Sequence, residues 1–183
     1  MKGIFMNVRT RLIGGAVALI ALAQPQVSLA QECITKQEVG SLVMYMMPVA
    51  IDSVDQACST HLSPDGFLAS GAAGMRERYA AMSDKEWPNA RRALFKFARN
   101  GRPAEADDPF DFSALPDEAV RPLATAMFGT KIRNAIKVDD CANYEEALQV
   151  FSPIEPHDVA SLVAFIASVV KVENPSVCKE PQE

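Results

Sequence analysis

The chain is short of the residues that usually carry chemistry at neutral pH. Two histidines, His61 and His157, stand nearly a hundred positions apart, and no nucleophile motif accompanies either. Hydrolytic chemistry is therefore hard to write, because a general base needs its partner within hydrogen-bond reach. No Cys-x-x-Cys pair occurs, and the nearest two cysteines are 25 positions apart, which removes the ligand spacing of structural zinc and of dithiol redox centres. Gly71 and Gly74 form no phosphate loop, since no strand precedes them and no Lys-Ser or Lys-Thr pair follows. No segment alternates apolar and polar residues with period two over a useful length, so no sheet is expected. Basic residues are the minority, 18 Lys and Arg against 23 Asp and Glu, which argues against nucleic-acid binding.

What is present begins with an address. Lys2, Arg9 and Arg11 precede the apolar run Leu12 to Ala23, Gln24 and Pro25 break it, and Ser28 and Ala30 supply the small residues that a signal peptidase reads. We read residues 1–30 as a signal peptide cut after Ala30. The apolar run, about twelve residues, is well short of the roughly 20 of a transmembrane helix. Gln31 and Glu32 stand between the cut and Cys33, which argues against lipidation. Loss of the three basic residues leaves 15 against 23 acidic ones, a formal charge of −8 on residues 31–183. Those 153 residues are the size of one domain, expected in the periplasm or medium of a Gram-negative bacterium with no transmembrane segment.

Cys33, Cys58, Cys141 and Cys178 all lie beyond the cut, and an even number in an exported chain predicts two disulfides. The first two flank the segment with the plainest helical periodicity. Val39, Leu42, Val43, Met46, Ala50, Ile51 and Val54 form one stripe, and Thr35 with Glu38 has capping-box spacing. A helix over residues 36–57 is roughly 33 Å long at 1.5 Å per residue, whereas bridged Cα atoms lie within about 7 Å. A Cys33–Cys58 bridge is therefore disfavoured unless Pro48 breaks the helix. Cys33 with Cys141 and Cys58 with Cys178, or the reverse, stay open.

Further helices are expected from about Ala73 to Met82, from Ser83 to Asn100, from Asp117 to Ile136, from Tyr144 to Phe151 and from Asp158 to Val172. Pro122 kinks or divides the third of these. Ser83 and Glu86 repeat the capping-box spacing, and Trp87, Ala90, Leu94, Phe97 and Ala98 form the expected core face of their helix. The last helix is the most apolar and is expected to cross the middle of the fold; an extended tail follows from about residue 173. The expected fold is all-α, an irregular, disulfide-stapled bundle of about five to seven helices.

Three classes of function stay open. The first is a binding or interaction protein of the cell envelope, such as an inhibitor, an immunity protein or an accessory factor. Arg91, Arg92, Lys96 and Arg99 make one helix face basic, with Phe95 off the apolar stripe, a pattern that suits an unknown acidic partner protein or an anionic membrane surface. The plainer reading is a solvated face neutralised by nearby acids. The second class is a carrier. Met44, Met46 and Met47 offer thioethers for soft Cu(I) or a small ligand, although helix methionines usually fill core gaps. The third is an enzyme without a recognisable motif, for which Glu77 and Asp84 are not obviously brought together. Glu105, Asp107, Asp108 and Asp111 lack the alternate spacing of a calcium loop. No catalytic residue and no cofactor is assigned.

Overall fold

A computed structural model describes residues 33–100, 114–170, 172 and 175–179. The expected signal peptide, the acidic loop and most of the tail after residue 173 lie outside the described residues. Among the described residues there are seven α-helices and no strand: α1 (Lys36–Cys58), α2 (Phe67–Ser70), α3 (Ala72–Ala80), α4 (Ser83–Asn100), α5 (Asp117–Ala135), α6 (Cys141–Phe151) and α7 (Pro156–Val169). The fold is all-α.

Helix α1 begins where the capping box places it. The Thr35 hydroxyl accepts from the Glu38 amide at 3.1 Å, and the Glu38 carboxylate accepts from the Thr35 amide at 2.9 Å. Pro48 lies inside α1 without ending it. A single rod thus separates Cys33 from Cys58, and both turn to distant partners. Cys33 bonds Cys178 and Cys58 bonds Cys141, closing spans of 145 and 83 residues. Short main-chain bonds hold the first bridge on both sides, since Ile34 donates to Ser176 and accepts from Cys178, both at 2.9 Å.

The central helix is α1, against which α4, α7, α5 and α3 all pack. This corrects the expectation that the last helix crosses the middle. Glu38, Ser41 and Ser53 are buried along α1 beside the apolar stripe, each satisfied by another element or its own turn. Helix α7 buries only Pro156, Val159, Ala160 and Ala164. A helix apolar all round needs burial on every side, and here one side stays outside. Helix α4 turns Trp87, Ala90 and Ala93 inward, while Phe97 is 40% exposed and Ala98 is exposed too, so its last turn diverges from the expected core face.

Both α4 and α7 run antiparallel to α1. Ser41 meets Glu86 while Glu38 meets Lys96. Likewise a Cβ on Gly40 would lie 3.7 Å from that of Ala160, while Ala164 clusters with Ile34 and Val39. Helix α5, which shares a core cluster with α4, also approaches α1 closely at Gly129, where a Cβ would lie 3.2 Å from Val49 Cγ1. Close approach, rather than flexibility, is what that glycine provides.

Candidate functional site

Two features of the α1, α4 and α7 layer are surfaces on which another molecule can act. The first is a groove of about 620 Å³. Its floor is a stripe of α1 comprising Lys36, Gln37, Gly40, Ser41 and Met44. One wall is Lys85, Glu86 and Asn89 of α4; the other is His157, Ala160, Ser161, Ala164 and Phe165 of α7. The glycine and alanines keep the walls low, so the groove is open along its length. Glu86 is 9% exposed and accepts the Ser41 hydroxyl on Oε2 at 2.5 Å.

That bond replaces the second capping box. Ser83 follows a helical turn, and its hydroxyl donates back to the Tyr79 carbonyl at 3.3 Å, while the Glu86 amide bonds Met82 at 3.1 Å. With the Ser83 hydroxyl turned back to the Tyr79 carbonyl the box does not form, and the Glu86 carboxylate crosses to α1 instead.

The second feature is the outer face of α7. Leu162, Phe165, Ile166, Val169 and Val170 are 44%, 57%, 47%, 59% and 64% exposed. Their spacing is that of one helical stripe, and no charged residue interrupts 159–170. With residue areas of roughly 200 Å², these fractions amount to about 500 Å² of apolar surface, near the upper end of what monomers leave open. Phe165 belongs to both features and joins them.

The basic face of α4 is partly tied into the fold, through Lys96 and Arg91, while Arg92 and Arg99 stay exposed. Lys96 Nζ reaches both Glu38 oxygens at 2.8 and 3.0 Å and the Cys33 carbonyl at 3.0 Å. Arg92 Nε lies 3.4 Å from Glu38, and its guanidinium also donates to Asn89. Burial of Glu38 works to raise its pKa, but the bonds from Lys96 and Thr35 outweigh it and hold the carboxyl below its ordinary value. Arg91 sits 3.1 Å from Asp117 and stacks 4.6 Å over the Phe95 ring. Phe95 is partly buried against the Tyr45, Trp87 and Val120 cluster, not the centre of an exposed patch. Arg99 is exposed.

Met44 belongs to the first core cluster with Met47 packed beside it, while Met46 belongs to the second, with Tyr45 and Trp87. The three thioethers do not converge. Among the described residues no group of three His, Cys, Asp or Glu side chains is placed to hold a metal. His61 is exposed at the end of a 3-10 turn, Ser59–His61. Of the two carboxylates singled out from sequence, Asp84 pairs with Arg121, and Glu77 is exposed on α3. Burial raises the pKa of Tyr45 and of Tyr79, whose hydroxyl is buried without a hydrogen-bond partner among the described residues. Neither faces the groove.

Sequence reasoning missed Ser41, Lys85, Glu86 and His157 as one set, because they come from three helices and share no local motif. The apolarity of α7 was the one available signal for the outer stripe. Compared with family models, with curated proteins and with solved structures, the chain matches none.

Proposed function

We propose that this is an exported binding protein of the Gram-negative periplasm, and that it docks a partner protein through the outer face of α7. The observation that carries this reading is the uninterrupted exposed stripe Leu162, Phe165, Ile166, Val169 and Val170. Burying about 500 Å² of apolar surface at about 25 cal/mol per Å² supplies roughly 12 kcal/mol gross, comparable with the 4–15 kcal/mol that association costs. The stripe is thus enough for a transient complex and a foundation for a tighter one. Its helical spacing fits a partner offering an apolar helix, packed ridge into groove. The formal charge of −8 on residues 31–183 favours basic residues flanking that helix.

Export is supported by the N-terminal pattern Lys2 to Ala30 and by two disulfides with no free cysteine among the described residues. No described helix is long and apolar enough to cross a membrane. The test is cross-linking in the native envelope with the Ile166→Asp variant as control. The reading requires a dominant adduct on an apolar helix of another protein, lost in the variant while its circular dichroism is unchanged. An adduct only between copies of this chain, or adducts unaffected by Ile166→Asp, overturns it.

A further inference from the structure

The groove contains a carboxylate that the fold satisfies only in part. Glu86 is 9% exposed, and its Oε2 accepts from Ser41. Its other oxygen accepts no hydrogen bond, and the carboxylate makes no ion pair, among the described residues. An ionised carboxylate offers about four acceptor sites, and carboxylates this buried are ordinarily paired with a cation. The groove also carries positive charge. Lys85 stands beside Glu86 on the same wall, exposed, with the His157 side chain on the opposite wall. A simple anion placed among these groups meets the Glu86 carboxylate, and a simple cation meets Lys85. A ligand carrying both charges answers both.

We propose that the groove binds a small zwitterion with an apolar side chain, a free amino acid or short peptide, whose ammonium group donates to Glu86 Oε1. Lys85 and His157, at the rim, receive its carboxylate. Phe165, the exposed apolar residue of the lining, receives the apolar side chain, and Gln37, Asn89 and Ser161 offer amide and hydroxyl groups to a peptide bond. The volume, about 620 Å³, is that of an ordinary small-ligand site. Gly40 and Ala160 matter to this site by their size, since they let α1 and α7 pack closely beneath it. The site adjoins the docking stripe at Phe165 of α7, but Ile166 and Val169 do not line the groove, and its charged residues Glu86 and Lys85 lie on α4.

The experiment is isothermal titration of the purified, disulfide-bonded protein with leucine, Leu-Leu and Leu-Leu-Leu, and with N-acetylated and C-amidated Leu-Leu. One or more of the zwitterions binds saturably with one site per chain; the series shows which length fills the groove. Removing the ligand's ammonium by acetylation, or its carboxylate by amidation, weakens binding at least about tenfold, as loss of a charge-assisted bond should. Glu86→Gln, which keeps an acceptor for Ser41, gives the same loss for the free dipeptide and little change for the acetylated one. Ile166→Asp leaves the titration unchanged even if it abolishes partner docking. Absence of saturable binding by every zwitterion at millimolar concentration overturns the proposal, as does equal binding of free and acetylated Leu-Leu. Should Glu86→Gln not fold, the comparison of free with acetylated ligand on the unaltered protein decides the matter.

Discussion

Replacing Glu38 by Gln removes one charge and little else, and its effect follows from what surrounds it. The carboxylate is 6% exposed in its side chain and meets Lys96, itself 16% exposed, at 2.8 Å; it also accepts from the Thr35 amide at 2.9 Å. Breaking a buried ion pair by removing one partner costs about 3–5 kcal/mol, because the other charge stays behind undercompensated. Lys96 keeps the Cys33 carbonyl at 3.0 Å and some access to water, so the lower end, about 3 kcal/mol, is expected. For a domain of this size that lowers Tm by roughly 6–12 °C. Urea unfolding followed by circular dichroism, with both disulfides intact, reads the difference directly. Arg76→Gln is the internal control: its pair with Asp52, at 2.6 Å, has both side chains more than 40% exposed, and exposed pairs contribute about 0–1 kcal/mol. If Glu38→Gln changes stability by no more than Arg76→Gln, Glu38 does not tie α1 to α4.

Other outcomes follow from the same structure. Because Glu38 has a folded pKa below its unfolded value, its contribution is present above about pH 4.3 and is lost as pH falls through the folded value. The stability gap between the unaltered protein and Glu38→Gln is therefore full at pH 7 and shrinks in titrations taken below about pH 4.3; a gap that widens in acid contradicts the sign. Two glycines separate propensity from packing. A Cβ at Gly74 meets nothing within 4 Å, so Gly74→Ala stabilises α3 by up to about 1 kcal/mol. At Gly129 the added methyl group meets Val49 Cγ1 and Arg133 Nη1, each at 3.2 Å, so Gly129→Ala gains less or destabilises by about 1 kcal/mol. Thermal unfolding of both variants checks the order.

How much of this was legible in the sequence depended on whether the controlling interaction was local. Thr35 and Glu38 lie three residues apart, and the capping box they spell is the one that forms. Ser83 and Glu86 have the same spacing, yet the carboxylate goes to Ser41, 45 positions away, because Ser83 lies inside α4, and its hydroxyl donates to the Tyr79 carbonyl in place of capping. The length of α1 disfavoured a Cys33–Cys58 bridge, and Pro48, which does not end the helix, left that reading standing. Choosing between the two long-range pairings required knowing that Ile34 lies beside Val177, a contact between chain ends that no pattern encodes. Basic residues on α4 were visible, but not that one of them, Lys96, reaches a buried acid on α1 and ties the two helices while Arg92 and Arg99 stay exposed. Helix α7 was recognisable as the most apolar segment, and composition alone does not say which side a neighbour covers. The groove was not legible at all, being built from stripes of three helices.

Docking of a partner on the outer stripe of α7 is best tested by a photo-cross-linker placed at Ile166 in the intact envelope. Ile166 is 47% exposed within the stripe, and Glu146, exposed on α6, is the control position. A docked partner gives one dominant adduct from position 166, on an apolar helix of another envelope protein, and none from position 146. The same adducts from both positions, or none from position 166 beyond copies of the chain itself, would refute docking on this face.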